Sequence, residues 1–283
     1  MIIRLAQNDD ISGIVSLWNE AFGDSVDEIM FFINNKFVAK NTLVADENGE
    51  IASVLFLLDG KMRIKSVDYP SYYLYAACTL NKYRGRGYMA QMLEEAKNLA
   101  FSRQVDFICL MPGEKSLFDF YSKFGYKTVF NKKVLKIDVK SPIESENLCS
   151  CDDYNIEVLR NNAFEKYDYF KWNSESIKFA FSHNRIYHGK QFCDRNGYLL
   201  YSTNSGVMSV KEFAFTGQKF LETALKIAHN DNCNNLIINL PFGFPTDIGD
   251  YEIIPSAMML NVSERSEYVS DGLQNAYLGL TLD

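Results

Sequence analysis

The sequence predicts a mixed α/β fold, of the α+β kind, in which the two halves of the chain repeat one order of elements. Strand and helix signals alternate up to about residue 139 and resume at about residue 154. In both halves a helix and antiparallel strands precede a long strand, a second helix and a further strand. We therefore expect two domains, 1–140 and 154–283, each with a mixed central sheet flanked by helices, and a polar linker at 141–153.

The first half has clear start and stop signals. Asp9-Asp10 is a candidate N-cap, the apolar residues after it recur at helical spacing, and Gly23 ends that pattern. Asn48-Gly49 is a strong hairpin signal. The predicted elements are strands at 2–6, 42–46, 51–58, 72–79, 105–111 and 126–139, and helices at 11–22, 26–34, 88–101 and 116–124.

The second half is less regular, but the same order can be followed. The predicted elements are a helical stretch at 156–181, strands at 191–194, 197–202 and 206–215, a helix at 219–230, a strand at 235–240, and strand-like runs at 253–262 and 276–282. No literal sequence repeat accompanies this order, so the duplication is one of architecture.

Composition excludes several classes of protein. Hydrophobic residues make up 47% and charged residues 23% of the 283 residues, which excludes a disordered or fibrous chain. The net charge of -7 disfavours broad nucleic-acid binding. We expect no membrane segment and no signal peptide, and therefore a cytoplasmic protein.

The cysteines and histidines are too few for a disulfide scaffold or a Cys/His metal centre. The chain has 6 Cys and 3 His, and the pair Cys149 and Cys151 has no second pair at zinc-site spacing. We therefore expect reduced thiols and no metal.

The most informative segment runs from Tyr72 to Leu93. A buried strand ends there, a loop of glycine and arginine follows, and an amphipathic helix begins. The first amides of a helix have no intrahelical acceptor, and the helix dipole makes them attractive to anions. Gly85 and Gly87 permit close approach of a ligand to the backbone, and Arg84 and Arg86 add positive charge. The pattern predicts a pyrophosphate site; the alternative is an ordinary tight turn with two solvated arginines.

The run Lys-Tyr-Arg84-Gly-Arg-Gly87-Tyr-Met resembles the Gln/Arg-x-x-Gly-x-Gly/Ala signature of the GNAT superfamily of acyl-CoA-dependent N-acyltransferases. It departs at the last position, where Met89 replaces a small residue, and this variant is similar to the Eis-like branch, whose members carry tandem GNAT-like domains. The resemblance implies that the backbone around this loop holds the pyrophosphate of acetyl-CoA, which is a co-substrate. The implied residues are Arg84, Gly85, Arg86, Gly87, Tyr88, Met89 and Ala90. It also implies that the backbone of Ala77, Cys78 and Thr79 pairs with the pantetheine arm.

A second match lies one strand and one helix later. Phe120-Tyr121-Ser-Lys-Phe-Gly125-Tyr126 resembles the Phe-Tyr-x-x-x-Gly-Phe/Tyr motif of the same superfamily. In that family the tyrosine commonly protonates the departing coenzyme A thiolate, so the resemblance implies that Tyr121 is the general acid. The alternative is a tyrosine packed on a helix face.

The general base cannot be assigned from the sequence. The family often uses a carboxylate near the start of the central strand, where this chain has only Asp68. Other candidates are Glu20, Glu28, Glu114 and Asp119, although the pattern favours solvated surface for each of them. In the second half only Gly217 matches the loop, with no arginine beside it, so we expect a degenerate domain there.

These observations predict an N-acetyltransferase that moves acetyl from acetyl-CoA to a primary amine by direct attack. The expected acceptor is a small molecule or a peptide, and the oligomeric state is left open. Two alternatives remain: a non-catalytic CoA-binding or scaffold protein, and an aminoacyl transferase that uses tRNA.

Overall fold

The structure is a computed structural model that describes residues 1–139, 151, 154–216, 220–245 and 250–281. The expected linker at 141–153 lies outside the described residues, apart from Cys151. Two compact units are present: unit 1 comprises Met1–Lys61, Tyr69–Lys127 and Met258–Asp271, and unit 2 comprises Met62–Asp68, Thr128–Ala257 and Gly272–Asp283. These units interleave along the chain and so differ from the contiguous ranges 1–140 and 154–283. Whether either of those ranges folds by itself stays a prediction.

The helices and strands follow the predicted order closely in the first half. In chain order they are β1 (Ile2–Leu5), α1 (Ile11–Phe22), α2 (Val26–Lys36), β2 (Thr42–Glu47), β3 (Glu50–Ile64), β4 (Val67–Thr79), α3 (Tyr88–Ser102), β5 (Phe107–Leu110), α4 (Lys115–Ser122) and β6 (Lys127–Asp138). The second half contains α5 (Ile156–Phe164), β7 (Tyr169–Lys171), α6 (Ser174–Ile186), β8 (Lys190–Asp194), β9 (Gly197–Asn204), β10 (Val207–Phe215), α7 (Phe220–Asn230), β11 (Asn235–Pro241), β12 (Tyr251–Asn261) and α8 (Glu264–Val269).

Unit 1 is built on a mixed sheet in the order β1-β2-β3-β4-β5, with the end of β12 beside β5. β4 and β5 are parallel, whereas β1 to β3 are antiparallel neighbours. The apolar stripe of α3, which includes Met92, Leu93 and Ala96, is buried in one hydrophobic core together with residues of this sheet. This burial explains why the helical spacing of the apolar residues in α3 is strict.

The strand that closes unit 1 is not the one next in sequence. Residues Met258 to Asn261 of β12 pair antiparallel with Leu110 to Phe107 of β5. β6, which corresponds to the last strand predicted in the first half, pairs with β11 in unit 2. Sequence patterns report that a segment is a strand, but they carry no information about its partner.

Unit 2 has the sheet order β12-β6-β11-β10-β9-β8. β10 and β11 are parallel from Val207 to Val210. On its other side β10 pairs antiparallel with β9, and the register of that pair shifts between Val210 and Glu212. The next element after β10 is α7, so unit 2 repeats the strand-to-helix arrangement of β4 and α3. Gly217, which the degenerate-loop prediction concerns, lies outside the described residues.

Several expected elements were wrong in extent. The helical stretch expected at 156–181 is divided into α5, β7 and α6, because the side chains of Asn155 and Asn173 cap two separate helices. The strand expected at 276–282 reduces to isolated bridges at Ala276 and Tyr277. The hairpin between β3 and β4 was missed, since its turn is Lys65-Ser66, two residues at φ 47° and 65° that carry no Asn-Gly signal.

The expectation that all thiols are reduced was wrong for one pair. Cys151 and Cys193 form a disulfide between residues 42 apart in the sequence. Cys193 lies on β8, so its contact with Cys151 depends on tertiary structure and not on local sequence spacing. Disulfides are more usual in oxidising compartments, and the cytoplasmic location stays a prediction.

Candidate active site

The N-terminus of α3 exposes free backbone amides. The first intrahelical bond runs from the Gln91 N–H to the Gly87 carbonyl oxygen (3.2 Å), so the amides of Tyr88, Met89 and Ala90 precede the first acceptor of the helix. No side chain of the described chain caps this end at Gly87, which has φ 80° and ψ 10°. Three amides therefore point out of the helix end with the positive end of its dipole behind them.

The loop before α3 is open and positively charged. Gly85 has φ 74°, and a Cβ placed on Gly85 or Gly87 would meet no atom within 4 Å. Arg84 and Arg86 are exposed on either side of Gly85. The Arg84 Nε donates to the Thr79 carbonyl oxygen (3.1 Å), which ties the loop back to the end of β4. The conformation is therefore one that glycine adopts readily and that leaves room for an anion.

Two carboxylates of the β2–β3 hairpin hold this loop in place, and sequence reasoning missed both. The Tyr88 hydroxyl donates to Glu47 (2.7 Å), and the Tyr83 hydroxyl donates to Glu50 (2.7 Å). The hydrogen bond from Tyr88 is the main cause that lowers the pKa of Glu47. Their only sequence signal was a position beside Asn48-Gly49, which indicates a turn and not its long-range contacts.

The strands β4 and β5 part just before this loop. Their recorded pairing covers Ser71 to Tyr73 of β4 opposite Phe107 to Cys109 of β5. Three residues later Ala76 has φ 47°, a left-handed conformation that is uncommon for a residue other than glycine. The last part of β4 thus continues beyond its pairing with β5, and the backbone edge of β4 on that side is no longer paired with β5.

The three β4 residues predicted to pair with a pantetheine arm lie at this edge. Ala77 is half-buried, whereas Cys78 and Thr79 are buried. The Thr79 carbonyl already accepts from Arg84. Burial raises the pKa of the Cys78 thiol far above its usual value, with the charge of Arg84 opposing this only in part. Cys78 is therefore a protonated packing residue and a poor nucleophile.

Tyr121, the predicted general acid, is a buried residue of the unit 1 core. It lies on α4, is 7% exposed, and belongs to the same core cluster as Tyr88 and Met92 of α3. Burial raises its pKa to about 12, and the neighbouring Cys78 contributes to this rise. The Tyr121 hydroxyl is therefore protonated near neutral pH and is electrostatically coupled to the end of β4.

Met89, the position that departs from the signature, packs against the core of unit 1. Its side chain is half-buried there.

The candidate bases are mostly engaged in other contacts. Glu20 accepts from the Asn81 amide (2.8 Å), Glu28 forms a capping box with Ser25, and Glu114 accepts from Ser116 (2.7 Å). Burial raises the pKa of Asp68, but hydrogen bonds from Lys171 and Arg63 outweigh this and lower it. Asp119 is exposed on α4. None of these contacts identifies a base.

Aromatic side chains near the α1–α2 connection form a packed cluster. Phe32 is 2% exposed, and its ring lies 5.0 Å from those of Trp18 and Phe56 and 5.1 Å from that of Tyr75. Phe32 is therefore a core residue.

In unit 2 a buried ion pair lies on β10, the strand that precedes α7. At the register shift in β10, Glu212 accepts from Arg160 (3.0 Å) and from the Tyr198 hydroxyl, and both charged side chains are fully buried.

Across the described residues no three His, Cys, Asp or Glu side chains gather as metal ligands. Helices of the described chain are too short or too polar to cross a membrane.

Comparisons with known proteins identify a family for the first part of the chain. Residues 2–129 match the acetyltransferase (GNAT) domain family. No curated protein sequence is significantly similar to the chain.

Solved structures resemble the chain over most of its length. A probable N-acyltransferase from Enterococcus faecalis is 13% identical, with a TM-score of 0.75 over 94% of this chain and 73% of that one. A GCN5-related N-acetyltransferase from Anabaena variabilis is 13% identical, with a TM-score of 0.76 over 94% and 74%. Eis1 from Mycobacterium abscessus is 12% identical, with a TM-score of 0.70 over 93% and 74%.

At such identities the structures establish a shared fold, while the sequence match concerns residues 2–129 alone. That segment contains both the helix end after Gly87 and Tyr121. The chain therefore carries an acetyltransferase domain of the GNAT superfamily over residues 2–129.

Proposed function

We propose that this protein transfers an acetyl group from acetyl-CoA to a primary amine by direct attack. The observation that carries the proposal is the uncapped N-terminus of α3, which follows two positive-φ glycines inside the GNAT-matching segment. Such a helix end, flanked by Arg84 and Arg86, is a binding site for a diphosphate.

The residues present fit two parts of the co-substrate, its pyrophosphate and its pantetheine arm. The amides of Tyr88, Met89 and Ala90 would bind the pyrophosphate, with Gly85 and Gly87 allowing close approach. The backbone of Ala77 and Cys78 would pair with the amides of the pantetheine arm, since β4 has left β5 at this point. The thioester supplies the activated acetyl group.

The chain contributes position and one proton. Holding the thioester and the amine together lowers the barrier by removing the entropic cost of their encounter. Tyr121 would donate its proton to the leaving sulfur, which avoids release of a free thiolate into the core. The amine must be neutral when it attacks, and no described carboxylate is assigned as its base.

The acceptor in this proposal is a small-molecule or peptide amine. The net charge of -7 favours a cationic acceptor over an anionic one through long-range attraction.

Two measurements test the proposal in sequence. Calorimetric titration with acetyl-CoA should give saturable binding, and free CoA alone should compete for the same site. Release of free thiol from acetyl-CoA should then be followed against a panel of polyamines, aminoglycosides and lysine peptides. Absence of acetyl-CoA binding would overturn the proposal.

The same experiments separate the alternative functions. Binding of acetyl-CoA without thiol release on any amine would favour a CoA-binding protein without catalysis. Retention of tRNA on filters at moderate salt, with no acetyl transfer, would favour an aminoacyl transferase.

A further inference from the structure

The hydroxyl of Tyr126 is a buried polar group that stability does not explain. Tyr126 follows Gly125, belongs to the core of unit 1 and is 2% exposed. Its hydroxyl has no hydrogen-bond partner among the described residues. Burying a hydroxyl without a partner costs free energy, and phenylalanine would fill nearly the same volume without that cost.

The surroundings of Tyr126 connect it to the proposed general acid. Its ring lies 5.7 Å from that of Tyr121, edge to face. Burial raises the pKa of Tyr126 well above its usual value, and the charges that Tyr121 and Cys109 would carry when ionised add to this. A negative charge on Tyr121 thus opposes ionisation of Tyr126.

The other tyrosine hydroxyls of this core are already used. Tyr72 accepts from Arg103 (3.2 Å), and Tyr88 donates to Glu47 (2.7 Å). Among the tyrosines packed with Tyr121 in this core, Tyr126 is thus the one whose hydroxyl has no hydrogen-bond partner in the described chain.

We propose that Tyr126 is a positioning residue that acts through Tyr121, donating its hydroxyl to the Tyr121 oxygen when that oxygen loses its proton. This inference rests on the proposed function. In the transfer, the C–N bond to the amine forms and the C–S bond breaks, and the sulfur takes the Tyr121 proton. The proton released by the acylated nitrogen returns to Tyr121 through solvent, and Tyr126 keeps its own proton throughout.

The first test is Tyr126→Phe in the full chain. A hydrogen bond to a charged oxygen strengthens in the transition state, so we expect kcat to fall about tenfold or more. The dissociation constant of acetyl-CoA should change less than about twofold, because Tyr126 does not contact the pyrophosphate site in this proposal. The melting temperature should stay equal or rise, since a buried unpartnered hydroxyl is removed.

The matched control is Tyr277→Phe. Tyr277 is also a buried tyrosine whose hydroxyl lacks a partner among the described residues, but it belongs to unit 2. We expect a similar effect on the melting temperature and unchanged kcat. A fall of kcat in this control equal to that of Tyr126→Phe would overturn the inference.

A double-mutant cycle decides whether Tyr126 acts through Tyr121. In the Tyr121→Phe background no phenolate can form, so adding Tyr126→Phe should lower kcat by less than about twofold. If the kcat losses of the two single variants multiply in the double variant, the inference is overturned. If Tyr121→Phe lowers kcat and Tyr126→Phe does not, this inference fails and the proposed function stands. If the wild-type protein releases no thiol, both fail.

Discussion

Gly87 is the residue on which the proposed co-substrate site most depends. It combines φ 80° with the N-cap position of α3, and its exposed backbone lies next to three free amides. Side chains other than those of asparagine and aspartate are strongly disfavoured at this φ, and any side chain would also project toward the proposed anion.

The first prediction is that Gly87→Asp abolishes acetyl-CoA binding, whereas Gly87→Asn weakens it less. The two side chains have the same shape and similar tolerance of positive φ, so their difference isolates the negative charge. A unit charge about 4 Å from the pyrophosphate costs up to about 4 kcal/mol at the protein surface. We therefore expect at least about a hundredfold loss for Asp, measured by calorimetry. Equal affinities of the two variants would remove the pyrophosphate from this position.

A second prediction concerns Tyr121→Phe. Loss of a general acid typically lowers the rate by about 10²–10⁴-fold. We expect kcat to fall in that range, while the dissociation constant of acetyl-CoA stays within about twofold. Steady-state kinetics and calorimetry measure the two quantities separately. Full activity would make Tyr121 a packing residue.

At the scale of elements, one arginine joins the start of the chain to the hairpin that supports the loop. Arg4 on β1 donates to Asp10 (2.7 Å) before α1 and to Asp46 (2.9 Å) on β2. We expected Asp10 to cap α1, but its side chain accepts from the Gln7 amide (2.7 Å) and from Arg4 instead. The carboxylate therefore links elements and does not cap the helix.

A third prediction follows for the pH dependence of stability. The hydrogen bond from Arg4 is the main cause that lowers the pKa of Asp10 and of Asp46 below the usual 3.8. A lowered folded-state pKa contributes stability above the unfolded pKa, and this contribution disappears as pH falls through the folded value. Urea unfolding should thus show a loss of stability below about pH 4.

The variant Asp10→Asn should reduce this acid dependence and lower the stability near neutral pH. Asp9→Asn is the matched control, because it changes the adjacent carboxylate and leaves the Arg4 contacts intact. The same acid dependence in Asp10→Asn as in the wild type would contradict the assignment.

At the scale of the whole molecule, each unit contains a parallel strand pair, but the residues that follow this pair differ between the units. In unit 1 the parallel pair β4–β5 ends at Tyr73, and an open, positively charged loop leads into α3. In unit 2 the parallel pair β10–β11 ends at Val210, and the buried pair Glu212 and Arg160 follows. Both side chains of this pair are fully buried, so neither is exposed to solvent.

The fourth prediction is that Glu212→Leu strongly destabilises the protein. It would leave the Arg160 guanidinium buried without its carboxylate, which typically costs about 3–5 kcal/mol. The double variant Arg160→Met with Glu212→Leu should lose less, because no unpaired charge remains. Urea unfolding of both variants measures the difference. A double variant less stable than the single variant would show that Arg160 and Glu212 stabilise the fold by more than cancelling each other's charge.

The candidate site was predictable from the sequence to the extent that it is local. Gly85, Gly87 and the helix after them lie within one short segment, and Tyr121 lies at motif spacing within another. The sequence analysis missed Glu47 and Glu50, since a carboxylate that anchors a loop 30 to 40 residues away leaves no local signal. It also missed the left-handed conformation of Ala76. Tyr126 belongs to the second motif, but only the structure shows that its hydroxyl has no hydrogen-bond partner among the described residues.

By itself the sequence determined the mixed α/β class, most helices and strands, and the loop that leads into α3. These depend on periodicity, caps and turn residues, which act over a few neighbouring positions. Only the tertiary structure decided that β12 closes the sheet of unit 1, that Cys151 meets Cys193, and that β4 leaves β5 before Ala76. Pairings of this kind are selected by burial and by the free energy of the whole fold, so no local pattern can record them.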